Sequence, residues 1–218
     1  MNSSLRRSPV PSFFGKAFLA AARLRVRQWD RALDAPEATQ TAVLKEICAH
    51  AAKTEFGRAH DLGGVRSYAD FRSRVPVGDY DSFTPAIDRM RRGEANVLVP
   101  EIVRYYGNSS GSSNAGRSKF LPISDRQIRQ QTGSGVDSLF RYLVHRSDDD
   151  FTSGFTLGLF PPTTMKEDGP SFITSNPALM AVKKPKISQI FYLPQHADCA
   201  ETPDYDRKLE LIAERYLD

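Results

Sequence analysis

Residues 108–119 read Asn-Ser-Ser-Gly-Ser-Ser-Asn-Ala-Gly-Arg-Ser-Lys, five serines and two glycines in twelve positions with a lysine at the exit. That composition makes the segment a loop and makes phosphate its expected guest. Glycines let backbone N–H groups converge on an anion without a Cβ in the way, serine hydroxyls add donors, and the lysine supplies a mobile positive charge. A nucleoside triphosphate, or the pyrophosphate derived from it, is the ligand this chemistry suits.

Two phosphate-loop readings compete. Gly111 to Ser118 also fits the Walker spacing G-x-x-x-x-G-K-[ST], with Arg117 standing for the lysine. A Walker loop must open directly into a helix whose N-terminus faces the phosphates, and Pro122 would then fall in the first turns of that helix. The flanks favour strand, loop, strand instead. Residues 102–106, Ile-Val-Arg-Tyr-Tyr, supply the strand before, and residues 118–123 supply the strand after. The bland alternative is a solvated Ser/Gly linker, the usual meaning of such composition.

A chain of 218 residues is one large domain or two small ones, and 40% apolar with 26% charged residues is ordinary globular composition. Cys48 and Cys199 stand in no metal-ligand spacing and point to a reducing, cytoplasmic compartment, so no metal residues are assigned. His50, His60, His145 and His196 are scattered and read as surface or helix-end residues.

The net charge of +4 conceals an asymmetry. Residues 1–29 carry Arg6, Arg7, Lys16, Arg23, Arg25 and Arg27 and no acid, which leaves 24 basic and 26 acidic residues, a net −2, for the rest. The body of the protein therefore makes no electrostatic case for nucleic acid. The basic segment, assigned to residues 1–36, reads as a helix lying on the domain, with a transit peptide or membrane-surface helix as the alternatives. Its apolar stretches are broken by charge too often to span a membrane.

Along the rest of the chain, residues 40–52 place Val43, Leu44, Ile47 and Ala51 on one helical face, ending before Gly57. Ser67 caps a short turn through Phe71, and Val75-Pro76-Val77 is extended because the residue before proline avoids the helical region. Thr84-Pro85 starts a helix that Gly93 ends. Residues 124–146 form the longest helix, with Ser124 and Gln127 in capping-box positions, Ile128, Val136, Leu139, Phe140 and Leu143 on its buried side, and a bend or break expected at Gly133 and Gly135. Asp148-Asp149-Asp150 is a charged turn. Residues 156–160 form a buried strand and 172–174 a shorter one, and 203–217 a helix capped by Thr202. Strands and helices mixed in this order give an α/β or α+β domain.

Three segments together carry a resemblance: Phe71-Arg72-Ser73-Arg74-Val75-Pro76-Val77-Gly78-Asp79-Tyr80-Asp81; then Pro85, Ile87, Arg89 and Gly93-Glu94; then Ser109-Ser110-Gly111-Ser112-Ser113 with Lys119-Phe120-Leu121-Pro122. The chain resembles the auxin-responsive acyl acid amido synthetases of plants and their bacterial homologues, a branch of the adenylate-forming superfamily. The likeness runs from about Gln40 to the end. It implies that residues 37–218 are part of the large N-terminal adenylation domain, with incomplete sheets flanked by helices.

The resemblance implies a reaction in which ATP and a carboxylic acid give an acyl adenylate and pyrophosphate, after which an amino acid's amine forms the amide. By match to the family's first nucleotide motif, Ser109, Ser110, Gly111, Ser112 and Ser113 hold the phosphates with Arg117 assisting, Lys119 is the catalytic cation, and Mg2+ neutralises the remaining charge. Ser112 stands where the family has threonine, and the stretch before Lys119 is one residue longer than the common pattern. The later motifs and the mobile C-terminal domain are missing from the sequence, so this reading makes the chain the N-terminal part of a ligase, inactive alone. The alternative within the resemblance is a truncated remnant that binds nucleotide weakly or serves as an interaction module.

Overall fold

The computed structural model describes residues 12–109, 119–147, 155–183, 192–193 and 201–217. Its elements are α1 (Ser12–Asp34), α2 (Pro36–Ala51), α3 (Glu55–Ala59), a 3-10 turn (Leu62–Gly64), α4 (Tyr68–Arg74), α5 (Tyr80–Arg91), β1 (Tyr105–Ser109), β2 (Lys119–Ile123), α6 (Asp125–Arg146), β3 (Thr156–Leu157), β4 (Lys166–Asp168), β5 (Ser171–Thr174), α7 (Asn176–Lys183), β6 (Tyr192–Leu193), α8 (Tyr205–Ile212) and a π-helical turn (Ala213–Leu217). The class is mixed α/β. The chain divides into two compact units, residues 30–127 with 165–175, and residues 1–29 with 128–164 and 176–218.

The unit built on residues 30–127 carries a four-stranded sheet in the order β2-β1-β5-β4. β1 pairs antiparallel with β2 and parallel with β5, and β4 closes the other side antiparallel to β5. Ile87 and Met90 of α5 bury against Val97, Val103 and Tyr106, with Tyr80, Phe83 and Phe120 packed around them. A second cluster joins Cys48 of α2 to Leu62 and Val65, and burial pushes the Cys48 thiol above its ordinary pKa.

Local signals set several boundaries as expected. Ser67 and Asp70 form a reciprocal capping box on α4, Ser124 Oγ accepts from the Gln127 N–H at 3.2 Å, and Gly93, at φ +91°, ends α5. Val75 is extended, as its proline neighbour requires.

Other expectations are corrected. α5 starts at Tyr80, not at Thr84, because the Asp79 carboxylate accepts from the Ser82 N–H at 2.9 Å and caps the helix there, leaving Pro85 inside it. On α2 the buried residue is Cys48, while Val43 and Ile47 are about half exposed at 46% and 50%. The neighbours Leu62, Val65, Phe71 and Val75 approach the adjacent stripe, through Leu44, Cys48 and Ala51. The end of α2 at Ala51 does fall before Gly57, as expected, and Gly57 itself sits inside α3, where a Cβ would lie 1.9 Å from the Ala51 carbonyl oxygen.

The other unit is built from helices and a minimal sheet. α1 buries Leu19, Ala22 and Val26, its Phe18 ring meets Phe140 of α6 edge-to-face at 5.1 Å, and Arg25 holds Asp137 through two hydrogen bonds at 2.7 and 3.0 Å. At 23 residues α1 exceeds the 22 of α6, so α6 is not the longest helix. α6 runs unbroken through Gly133 and Gly135, and its Val136 is exposed at 40%. The strand expected over residues 156–160 shrinks to two residues paired with β6, and Leu157 and Leu159 are exposed rather than buried. α8 is capped by Asp204, whose carboxylate accepts from the Arg207 N–H at 2.7 Å, not by Thr202. Asp148–Asp150, Cys199 and His196 lie outside the described residues. No helix among the described residues is long and apolar enough to cross a membrane.

Candidate functional site

The candidate site is the mouth of the serine-rich loop. Ser109 and Lys119 are directly paired across the β1–β2 ladder, followed inward by Asn108 with Phe120, Gly107 with Leu121, Tyr106 with Pro122 and Tyr105 with Ile123. The two ends of the loop are thus a single rung apart and held in fixed register. A strand occupies residues 119–123, where the Walker reading requires the first turns of a helix, and a second strand ends at Ser109 on the other side of the serine-rich segment. The strand before the loop begins at Tyr105, three residues later than its β-branched composition suggests.

Of the residues assigned to phosphates, the structure places Lys119 and the backbone of Ser109. Ser110, Gly111, Ser112, Ser113 and Arg117 lie outside the described residues.

Among the described residues β2 is a sheet edge, and two residues manage its outward backbone groups. Pro122 has no N–H to leave unpaired, which suits an edge strand. At Phe120 the Tyr80 hydroxyl accepts from the backbone N–H at 2.8 Å and donates to the carbonyl oxygen at 3.3 Å. One phenol therefore satisfies both edge groups of the residue next to Lys119. Tyr80 is also the first residue of α5, so the exit of the loop is tied to the start of that helix.

Charge is arranged around the same point. The Lys119 ammonium stands 5.3 Å from the centre of the Tyr80 ring. Asp79, one residue earlier, has its carboxyl held below the usual range by hydrogen bonds from Ser82, with the Lys119 charge a smaller contribution. The Arg91 guanidinium lies 4.0 Å over the Phe120 ring and is itself fixed by Asp88 at 3.1 Å and by Asp168 of β4. Ser171 Oγ donates to the Arg91 carbonyl at 2.8 Å. Tyr106, fully buried beneath, has no partner for its hydroxyl among the described residues.

An ammonium directly after a segment whose sequence is rich in hydroxyl and amide donors suits an anion. Among the described residues no three potential metal ligands converge. His50 faces Glu101 at 3.3 Å and His60 the Arg74 carbonyl at 2.9 Å, and neither joins the site.

Reading the sequence alone misses the roles of Tyr80, Arg91 and Tyr106. The partners of Tyr80 and Arg91 lie far away in sequence, 40 residues on for Tyr80 and 77 for the Arg91–Asp168 pair, where no spacing rule reaches. The only signal was that Tyr80 falls inside a family-like segment.

Comparison with known proteins agrees with the geometry. Residues 25–200 match the family model described as the GH3 family N-terminal domain. The indole-3-acetic acid-amido synthetase GH3.2 of Arabidopsis thaliana is 33% identical over 94 residues, which is 43% of this chain and 17% of that protein. The indole-3-acetic acid-amido synthetase GH3.8 of Oryza sativa subsp. indica is 38% identical over 97 residues, 44% of this chain and 16% of that one. The chain thus matches about one sixth of the length of these relatives. Among solved structures, a GH3.15 acyl acid amido synthetase superposes with a TM-score of 0.61 over 78% of this chain and 29% of its own, at 20% identity, a likeness of fold.

Proposed function

The chain belongs to the GH3 family, whose N-terminal domain it carries, and from that premise we propose that it supplies the phosphate-gripping part of an ATP-dependent acyl acid amido synthetase. In this reading the serine-rich loop, with Ser109, Ser110, Gly111, Ser112, Ser113 and Arg117, cradles the nucleotide's phosphates. Lys119 draws charge from the departing pyrophosphate as a carboxylate oxygen attacks the α-phosphorus and the acyl adenylate forms. An amino acid's amine then attacks the acyl carbon, releasing AMP and leaving an amide.

The observation that carries the reading is the Ser109–Lys119 rung. It fixes the one described cation at the mouth of a loop rich in anion donors. Activating a carboxylate in this way needs position and charge neutralisation more than proton abstraction, so no general base is assigned. Mg2+ would arrive with the phosphates and neutralise the charge that Lys119 leaves.

The remainder of the synthetase is needed for turnover. In a complete GH3 synthetase carrying this N-terminal domain, Lys119→Ala lowers carboxylate-dependent ATP–pyrophosphate exchange by about two to three orders of magnitude, the scale of losing one transition-state charge contact. Wild-type exchange in that variant would remove Lys119 from the assignment. Residues 1–218 alone give no exchange, and strong exchange from them with any carboxylic acid contradicts the need for the rest.

A further inference from the structure

We propose that Tyr80 is the positioning residue for Lys119, its hydroxyl locking the backbone that carries the lysine and its ring holding the ammonium. The proposal deepens the phosphate reading and rests on it for its functional meaning.

Three observations carry the inference. Both hydrogen bonds of the Tyr80 hydroxyl, at 2.8 and 3.3 Å, go to Phe120, the residue after Lys119. On an edge strand these backbone groups would otherwise be open to water, and the strand end free to fray. The ring of the same side chain stands 5.3 Å from the Lys119 ammonium, within the range at which an aromatic face attracts a cation. The phenol does not drift, because Tyr80 packs against the Ile87, Met90 and Tyr106 cluster, and Asp79 fixes its backbone by capping α5.

A lysine side chain is otherwise free about four bonds, and ordering it on an anion has an entropic cost. Tyr80 reduces that cost before the anion arrives. A purely structural tyrosine would staple β2 to α5 equally well but would leave the ammonium elsewhere, so the two roles differ in what Lys119 itself reports.

The test uses the 218-residue chain and its variants Tyr80→Phe, Tyr80→Leu, Lys119→Ala and Tyr80→Leu/Lys119→Ala. In the unliganded chain, the Lys119 ε-methylene signals, identified by their loss in Lys119→Ala, lie upfield of ordinary lysine because the aromatic ring shields them. Tyr80→Phe keeps that displacement and Tyr80→Leu abolishes it. In calorimetry with MgATP, Tyr80→Leu weakens binding by about three- to tenfold, the scale of immobilising one long side chain. The double variant binds no more weakly than Lys119→Ala, because the ring has then lost the group it serves.

Lys119 signals at the ordinary position in the folded wild type overturn the proposal. So does a Tyr80→Leu loss that adds in full to that of Lys119→Ala. A shielded lysine in a chain that binds no MgATP would leave the placement by Tyr80 standing and refute the phosphate reading instead.

Discussion

Arg89 of α5 grips Glu55 of α3 through two parallel hydrogen bonds, Nη1 at 2.9 Å and Nη2 at 2.7 Å from the two carboxylate oxygens. The same guanidinium holds Glu94, with Nε at 2.8 Å. The Glu55 and Phe56 N–H groups donate to the carbonyls of Asn96 and Val97, so the ion pair closes a joint already made by the backbone. Arg89 and Glu94 belong to the segments that resemble the synthetase family, yet their work here is to hold the frame from which Tyr80 reaches the loop.

The joint makes acid sensitivity predictable. Hydrogen bonds from Arg89 hold both Glu55 and Glu94 below the usual carboxylate range. A depressed folded-state pKa contributes stability above the ordinary value, about 4.3 for glutamate, and loses it as pH falls through the folded value. The melting temperature of the wild type therefore declines as pH drops below about 4. Arg89→Ala melts a few degrees lower at neutral pH and loses this part of the decline, and an unchanged acid limb in that variant would contradict the assignment.

Tyr106 predicts the opposite limb. Its hydroxyl is fully buried and unpartnered among the described residues, and burial, partly offset by the Arg91 charge, pushes its pKa up to about 12. An orphaned buried hydroxyl costs about 1–3 kcal/mol. Tyr106→Phe is accordingly more stable in urea by about 1 kcal/mol. Because the folded pKa is raised, the tyrosine's contribution to stability is intact below the ordinary value near 10 and is lost as pH rises towards the folded value. The Phe variant loses less stability across that window. A destabilised Tyr106→Phe would mean the hydroxyl has a partner.

Among the described glycines, Gly57 leaves the least room for a methyl. An added Cβ would sit 1.9 Å from the Ala51 carbonyl oxygen, and the Gly57 N–H is already committed to Thr54 Oγ1 at 2.9 Å. Backbone cannot yield as a side-chain tip can, so Gly57→Ala costs at least about 3 kcal/mol in urea unfolding. Near-wild-type stability would show that α3 can move away from the end of α2.

The parts legible in the sequence are those set by neighbours a few residues apart. Ser67, Ser124 and Gly93 mark helix ends through local hydrogen bonds and a positive φ, and the β-branched and aromatic flanks of the serine loop announce two strands. The failures arise where local signals compete or where distant packing decides. Asp79 outbids Pro85 as the start of α5, and the burial of α2 falls one stripe away from Val43 and Ile47 because partners arrive on the Cys48 side. The site follows the same division. Lys119 enters the candidate site from the loop's composition and the family likeness, whereas Tyr80 and Arg91, which contact its neighbour Phe120, come from 40 and 29 residues upstream.

The central claim is that the loop closed by Ser109 and Lys119 grips phosphate. The measurement that tests it most directly is calorimetric titration of MgATP and of magnesium pyrophosphate into the folded 218-residue chain and its Lys119→Ala variant. Saturable binding of both ligands by the wild type, weakened about tenfold or more in the variant as for a lost charged hydrogen bond, is the predicted result. Equal binding by the two proteins, or none by a wild type that is demonstrably folded, would contradict it.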